Sequence, residues 1–255
     1  MSDLKGLWKR SMIERPDGSR DTTTRVDWLQ GVSLYADLRQ PPWLPEFAGI
    51  ATLDDLSRAD CVALARQEGF AGRLGFDGRH FEWLRHIDFQ PVSPTADAGS
   101  LHWEAQILVE RGRDVDYLEH WHREAGGSAP WAATLLRETD RGTAALLVRA
   151  GALFMFARDR ADPLVGHRTL SDAVAAAPDV RAARAMIDCE ISSGAVTAHG
   201  FRITASTLPY RVGRRLGQRL SPSTMTIPDH DADGGGLERR WHIVDAEGDT
   251  AALRA

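Results

Sequence analysis

Trp28-Leu29-Gln30-Gly31-Val32-Ser33-Leu34-Tyr35-Ala36-Asp37-Leu38-Arg39 is two runs of apolar, β-favouring residues hinged at a glycine, the pattern of adjacent antiparallel strands. It ends a strand that begins near Thr22 and opens a second from Ser33 to Arg39. Alternation puts Tyr35, Asp37 and Arg39 on one face of that second strand. The same pair of strands returns later as Thr143 to Arg149 and Ala152 to Arg158, where the aligned face carries Phe154, Phe156 and Arg158. Two polar groups of the first copy are hydrocarbon in the second, while the arginine persists.

Working outward, Leu7 to Glu14, Phe70 to Asp77, His80 to Phe89, Leu101 to Glu110 and Tyr117 to Glu124 also read as strands, and Leu53 to Glu68 has helical spacing. The second half repeats this order with strands at Trp131 to Glu138, Ile191 to Ala198 and Phe201 to Ser206, and a helix from Ser171 to Cys189 broken at Pro178. Trp8 aligns with Trp131, Arg39 with Arg158, Gly72 and Gly78 with Gly194 and Gly200, and Trp121-His122 with Trp241-His242, at a nearly constant offset of about 120 positions. The spacing predicts a tandem duplication, residues 1–127 and 128–255, with the boundary in Gly126-Gly127-Ser128-Ala129-Pro130. Each copy is mainly β with few helices, and an antiparallel sheet of that length hides its edges by closing, so two tandem antiparallel β-barrels are expected.

Composition narrows the function. With 31 basic against 36 acidic residues the net charge is −5, the wrong sign for a broad phosphate-binding surface, so no nucleic acid is expected as partner. No apolar run approaches the roughly 20 residues of a membrane span. The start Met1-Ser2-Asp3-Leu4-Lys5 carries no export signal, which predicts a cytoplasmic protein. Cys61 and Cys189 cannot form a disulfide framework and read as buried helical residues.

Gly6-Leu7-Trp8 heads the first strand and resembles the Gly-x-Trp signature of lipocalins, whose tryptophan plugs the closed end of the barrel. With the stretch Trp28 to Arg39 and a tryptophan near the start of each copy, the chain resembles a two-barrel lipocalin-like family of fungi and bacteria, for which no activity is established. The resemblance implies tandem lipocalin-like barrels and a small apolar molecule held inside one of them.

Candidate site residues follow from the strand faces. Tyr35 and Asp37 are present only in the first copy and are the preferred proton-handling residues, joined by Glu119, which shares a face with Tyr117 and Trp121. Arg39 and Arg85 are candidate ligand-binding cations. Arg85 interrupts the stripe Phe81, Trp83, Ile87, Phe89 and needs a carboxylate, either Asp37 or one from a ligand. Trp28, Trp83 and Trp103 are expected to wall the cavity with Tyr117 and Trp121. His102, Glu104, His120 and His122 have spacing that a metal site would use, but a solvated strand face gives the same pattern, so no metal and no cofactor is expected. Asp229, Asp231 and Asp233 imitate a calcium loop whose closing position is Arg240, and Arg211, Arg214, Arg215 and Arg219 lack interleaved aromatics for base stacking.

These readings predict binding of a small apolar or aromatic molecule, anionic or polar-headed, in the first barrel, with the second a degenerate or structural copy. The alternatives are a cofactor-independent lyase, isomerase or hydratase acting on such a molecule, and a protein-interaction scaffold. A homodimer is compatible with either.

Overall fold

A computed structural model describes residues 4–164, 166, 169–230 and 234–254. The first sheet contains β1 (Gly6–Glu14), β2 (Arg20–Asp21), β3 (Arg25–Gln30), β4 (Leu34–Gln40), β5 (Glu68–Phe76), β6 (Phe81–Asp88), β7 (Ala98–Glu104), β8 (Ile107–Gly112) and β9 (Leu118–Arg123). Strands β1 and β3 to β9 pair in order, and β9 returns to β1, so they form a closed eight-stranded antiparallel barrel with β2 as an extra flap. The second sheet contains β10 (Trp131–Glu138), β11 (Ala144–Ala150), β12 (Leu153–Arg158), β13 (Glu190–Thr197), β14 (Gly200–Ser206), β15 (Arg219–Leu220), β16 (Thr224–His230) and β17 (Gly236–Gly248). Its order, β14-β13-β12-β11-β10-β17-β16-β15, curls without closing, so the second copy is a half-barrel rather than the expected full one.

The two sheets correspond in their ladders. Tyr35 pairs with Gly72 as Phe154 pairs with Gly194, and Arg39 pairs with Glu68 as Arg158 pairs with Glu190. Both sheets bulge at the same place, between Ala71 and Gly72 and between Ser193 and Gly194. The turns that follow use Gly78 and Gly200, both at φ 100°, a conformation that favours glycine. Trp8 and Trp131 share equivalent first strands but not equivalent positions. Trp8 pairs with Trp28, whose counterpart Leu147 pairs with Thr134, three residues beyond Trp131.

Three sequence expectations change. Leu53 to Glu68 is not one helix: Asp55 accepts the Ala51 and Thr52 amides to cap the start of a short 3-10 turn (Leu53–Asp55), and Ser57 with Asp60 caps a separate α1 (Arg58–Leu64) before β5 begins. Leu101 to Glu110 is not one strand but the β7–β8 hairpin, turned at Ala105, whose φ is 53°. The aromatic stripe of β6 is split by the bulge: Trp83 and Arg85 point into the barrel, while Ile87 and Phe89 join the core between the sheets. The helix expected from Ser171 to Cys189 does break near Pro178, into α2 (Leu170–Ala176) and α3 (Val180–Ile187), leaving Cys189 just outside it. Both cysteines are free and buried.

Three cores result. Trp8, Trp28, Tyr35, Phe70, Trp83 and Trp121 fill much of the closed barrel. Phe154, Phe156, Phe201 and Trp241 fill the half-barrel. The largest lies between them, where Leu29, Leu38, Ile87 and Phe89 of the first sheet meet Leu146, Val148, Met155 and Ile191 of the second under the three helices. Because Tyr35 and Asp37 are buried inside the first barrel and Phe154 and Phe156 inside the second, the contrast between the copies is one of interior chemistry rather than of burial. Among the described residues no helix is long and apolar enough to cross a membrane.

Candidate functional site

A cavity of about 250 Å³ opens between β4, β6, β8 and β9 of the closed barrel, under the segment from Ser93 to Asp97. That segment crosses the weakest seam: β6 and β7 share only the pairs Phe81–Gly99 and Glu82–Ala98, and the chain before them arches away from the sheet. Trp28, Trp83 and Trp121 form the aromatic wall, with Trp28 edge-on to Trp83 at 5.6 Å and to Trp121 at 5.4 Å between ring centroids. Phe70 is a second apolar wall, covered by the Arg85 guanidinium at 3.6 Å and the Arg39 guanidinium at 4.9 Å.

Eight of the ten predicted residues meet here: Trp28, Asp37, Arg39, Trp83, Arg85, Tyr117, Glu119 and Trp121 all line the cavity. Tyr35 does not. It lies edge-on to Phe70 at 6.0 Å, fully buried, with no hydrogen-bond partner for its hydroxyl. Burial pushes its phenol well above the ordinary range. Trp103 is also outside; it packs on Trp8 at 5.8 Å and is 45% exposed, because the β7–β8 hairpin lifts it to the barrel rim.

Ionic pairing differs from the expectation. Asp37 holds Arg39 at 2.8 Å, its neighbour on the same strand face, instead of Arg85. Arg85 is held by Asp88 at 2.7 Å and by Asp97 at 2.6 Å. The β6 bulge explains this, since it turns Asp88 to the face that Arg85 occupies. Glu119 pairs with Arg10 of β1 at 2.5 Å. Burial pushes the Asp37 carboxyl up to about 6, against the pull of Arg39. Burial opposes the charge on Arg85, but Asp88 and Asp97 more than offset it and raise its pKa.

Glu110 is the site residue that alternation missed. Read as one strand, Leu101 to Glu110 puts it on the polar exterior; the turn at Ala105-Gln106 reverses the parity of β8 and sends it inward with Leu108. The polar run Glu104-Ala105-Gln106 was the available signal. Glu110 accepts hydrogen bonds from the Tyr117 hydroxyl at 2.6 Å and from the Trp121 indole nitrogen at 3.1 Å, and stands directly across the ladder from Glu119. Burial, and then the facing Glu119, push its carboxyl well above the ordinary range. Asp97 and Phe70 were missed because one lies in the stretch between β6 and β7 and the other read only as the start of a strand.

The histidine pattern stays on the outside: His102 contacts Glu104 at 3.1 Å in solvent, and His122 contacts the Ser11 hydroxyl at 2.9 Å. Among the described residues no group of three or more His, Cys, Asp or Glu side chains is placed to hold a metal. Asp229 is instead tied to Arg239 at 2.6 Å, while Asp231 and Asp233 lie outside the described residues. Larger clefts, about 660 Å³ beside α3 and about 480 Å³ beside Pro41, Pro42 and Pro45, lie outside both sheet interiors.

The fold is similar to the crystal structure of an uncharacterized protein of Saccharomyces cerevisiae, with a TM-score of 0.55 and 11% identity over 95% of this chain and 98% of that one. At that identity the likeness is one of fold alone. No protein-family model matches the chain, and no curated protein does.

Proposed function

We propose that the closed barrel binds a small apolar or aromatic molecule that carries a polar head. The observation that carries this reading is the cavity itself: three indoles and Phe70 surround a space of about 250 Å³ beside buried ionisable groups, an apolar body site next to a polar anchor. The lipocalin-like resemblance of the first strand points the same way, and the second copy, its interior filled by Phe154 and Phe156, has a structural role. A second reading is cofactor-independent proton transfer on such a molecule. It is favoured by Glu110 and Glu119, which face each other across one ladder with only Glu119 paired to an arginine, a disposition in which burial and the facing carboxyl hold the Glu110 pKa well above the ordinary range.

Tryptophan fluorescence and thermal stability across a panel of one-ring aromatics with neutral, cationic and anionic heads test the binding reading. At least one member is expected to bind at micromolar to low-millimolar concentration, with Trp83→Leu weakening it by about tenfold and Trp131→Leu leaving it unchanged. A panel with no saturable binder, or one equally weakened by both substitutions, contradicts it.

A further inference from the structure

We infer that the head group this cavity accepts is a cation, an ammonium or amidinium seated against the Glu110 carboxyl and flanked by the indoles of Trp28, Trp83 and Trp121. The inference rests on the small-molecule reading above and specifies its ligand class.

Charge pairing is the first support. The guanidiniums near the cavity are all engaged: Arg10 by Glu119, Arg39 by Asp37, and Arg85 by both Asp88 and Asp97. An anionic head placed beside any of them would also face the carboxylate that guanidinium already holds, in a partly desolvated site. Leaving Glu110 aside, four carboxyls, Asp37, Asp88, Asp97 and Glu119, accompany three guanidiniums, so the local field favours a positive guest.

Glu110 supplies the second support. It is 3% exposed and lines the cavity, yet its two hydrogen-bond donors, the Tyr117 hydroxyl and the Trp121 indole, are both neutral. No lysine, arginine or histidine among the described residues pairs with it. A buried carboxylate without a counter-charge is costly, and a ligand cation removes that cost. The indoles add to it, because the negative face of a tryptophan ring attracts a cation, most strongly where water is thin.

The groups facing Glu110 give the sign of the pH dependence. Glu119 opposes it from β9, Asp97 lies on the overlying segment, and the Asp37–Arg39 pair approaches from β4, while its β7 partner is the uncharged Leu101. In the empty cavity a proton neutralises Glu110, since burial and Glu119 hold its pKa high. A cation therefore competes with that proton, and its affinity rises as pH rises.

Benzyltrimethylammonium, whose charge does not titrate, is the probe, compared with 2-phenylethanol and phenylacetate by calorimetry at pH 6 and pH 8. The cation is expected to bind about tenfold tighter than either comparator and to gain affinity between the two pH values. Glu110→Gln should remove most of that advantage and the pH dependence. If the variant does not fold, the wild-type ranking and pH trend decide. Phenylacetate or 2-phenylethanol binding as tightly as the cation, or a cation affinity that falls as pH rises, overturns the head-group inference and leaves the small-molecule reading standing. Failure of every probe to bind overturns both.

Discussion

Replacing Tyr117 with phenylalanine removes the shorter of the two donors to Glu110, a 2.6 Å contact, and leaves the buried carboxyl with only the Trp121 indole. Losing such a bond should cost about 1–2 kcal/mol in urea unfolding. Because the phenol favours the charged form, the Glu110 titration should also move upward, visible in the carboxyl carbon resonance. Asp37 gives a second residue-level prediction. Its folded pKa of about 6 lies above the unfolded value near 3.8, so the native state binds more protons in between. Its contribution to stability is therefore lost as pH rises from about 4 to 6, and Asp37→Asn should flatten that part of the stability profile. A profile unchanged by the substitution would show that Asp37 titrates normally. At this scale the sequence was informative where strands were unbroken: alternation placed Asp37, Arg39, Glu119 and Trp121 correctly, while Glu110 and Asp88 were hidden by a hairpin turn and a bulge, each of which reverses parity.

The elements that carry the duplication are held by steric demands that a comparison of the two copies exposes. A Cβ on Gly72 would meet the Leu84 carbonyl oxygen 1.9 Å away, and one on Gly194 would meet the Arg202 carbonyl oxygen at 2.2 Å. Both are backbone atoms at the shared bulge, so Gly72→Ala and Gly194→Ala should each destabilise by about 3 kcal/mol in denaturant unfolding. Gly78→Ala faces open space and pays only for its φ of +100°, so about 1–2 kcal/mol is expected there. Equal, small effects at all three positions would remove the argument that the bulges are conserved architecture of the two copies. The strands themselves were legible because β-branched and aromatic runs alternate; the short helices were less so, since α1 owes its start to the Ser57–Asp60 cap rather than to a long apolar stripe. The open edge of the second sheet had no sequence signal, because closure depends on how far the end strands travel around the curl.

Across the whole molecule, the largest core is shared by the two sheets, which predicts that they unfold together. Polar clamps reinforce it: the Glu247 carboxylate of β17 accepts the Ser33 and Leu34 amides at 2.9 Å, and Arg160 donates to the carbonyl oxygens of Asp88 at 3.1 Å and Phe89 at 2.6 Å. Expressed alone, residues 128–255 expose the face of Leu146, Val148, Met155 and Ile191 and should lack a cooperative thermal transition, whereas the full chain should melt in one. Two separate transitions in the full chain would contradict this. The central claim is that the barrel cavity takes a small molecule between Trp83 and Trp121, and the indole resonances of the labelled protein report it most directly. Titration with the tightest binder among benzyltrimethylammonium, 2-phenylethanol and phenylacetate is predicted to shift the Trp28, Trp83 and Trp121 signals together at saturable ligand concentration and to leave Trp131 and Trp241 in place; shifts confined to Trp131 or Trp241, or none at all with any of the three, would contradict the account.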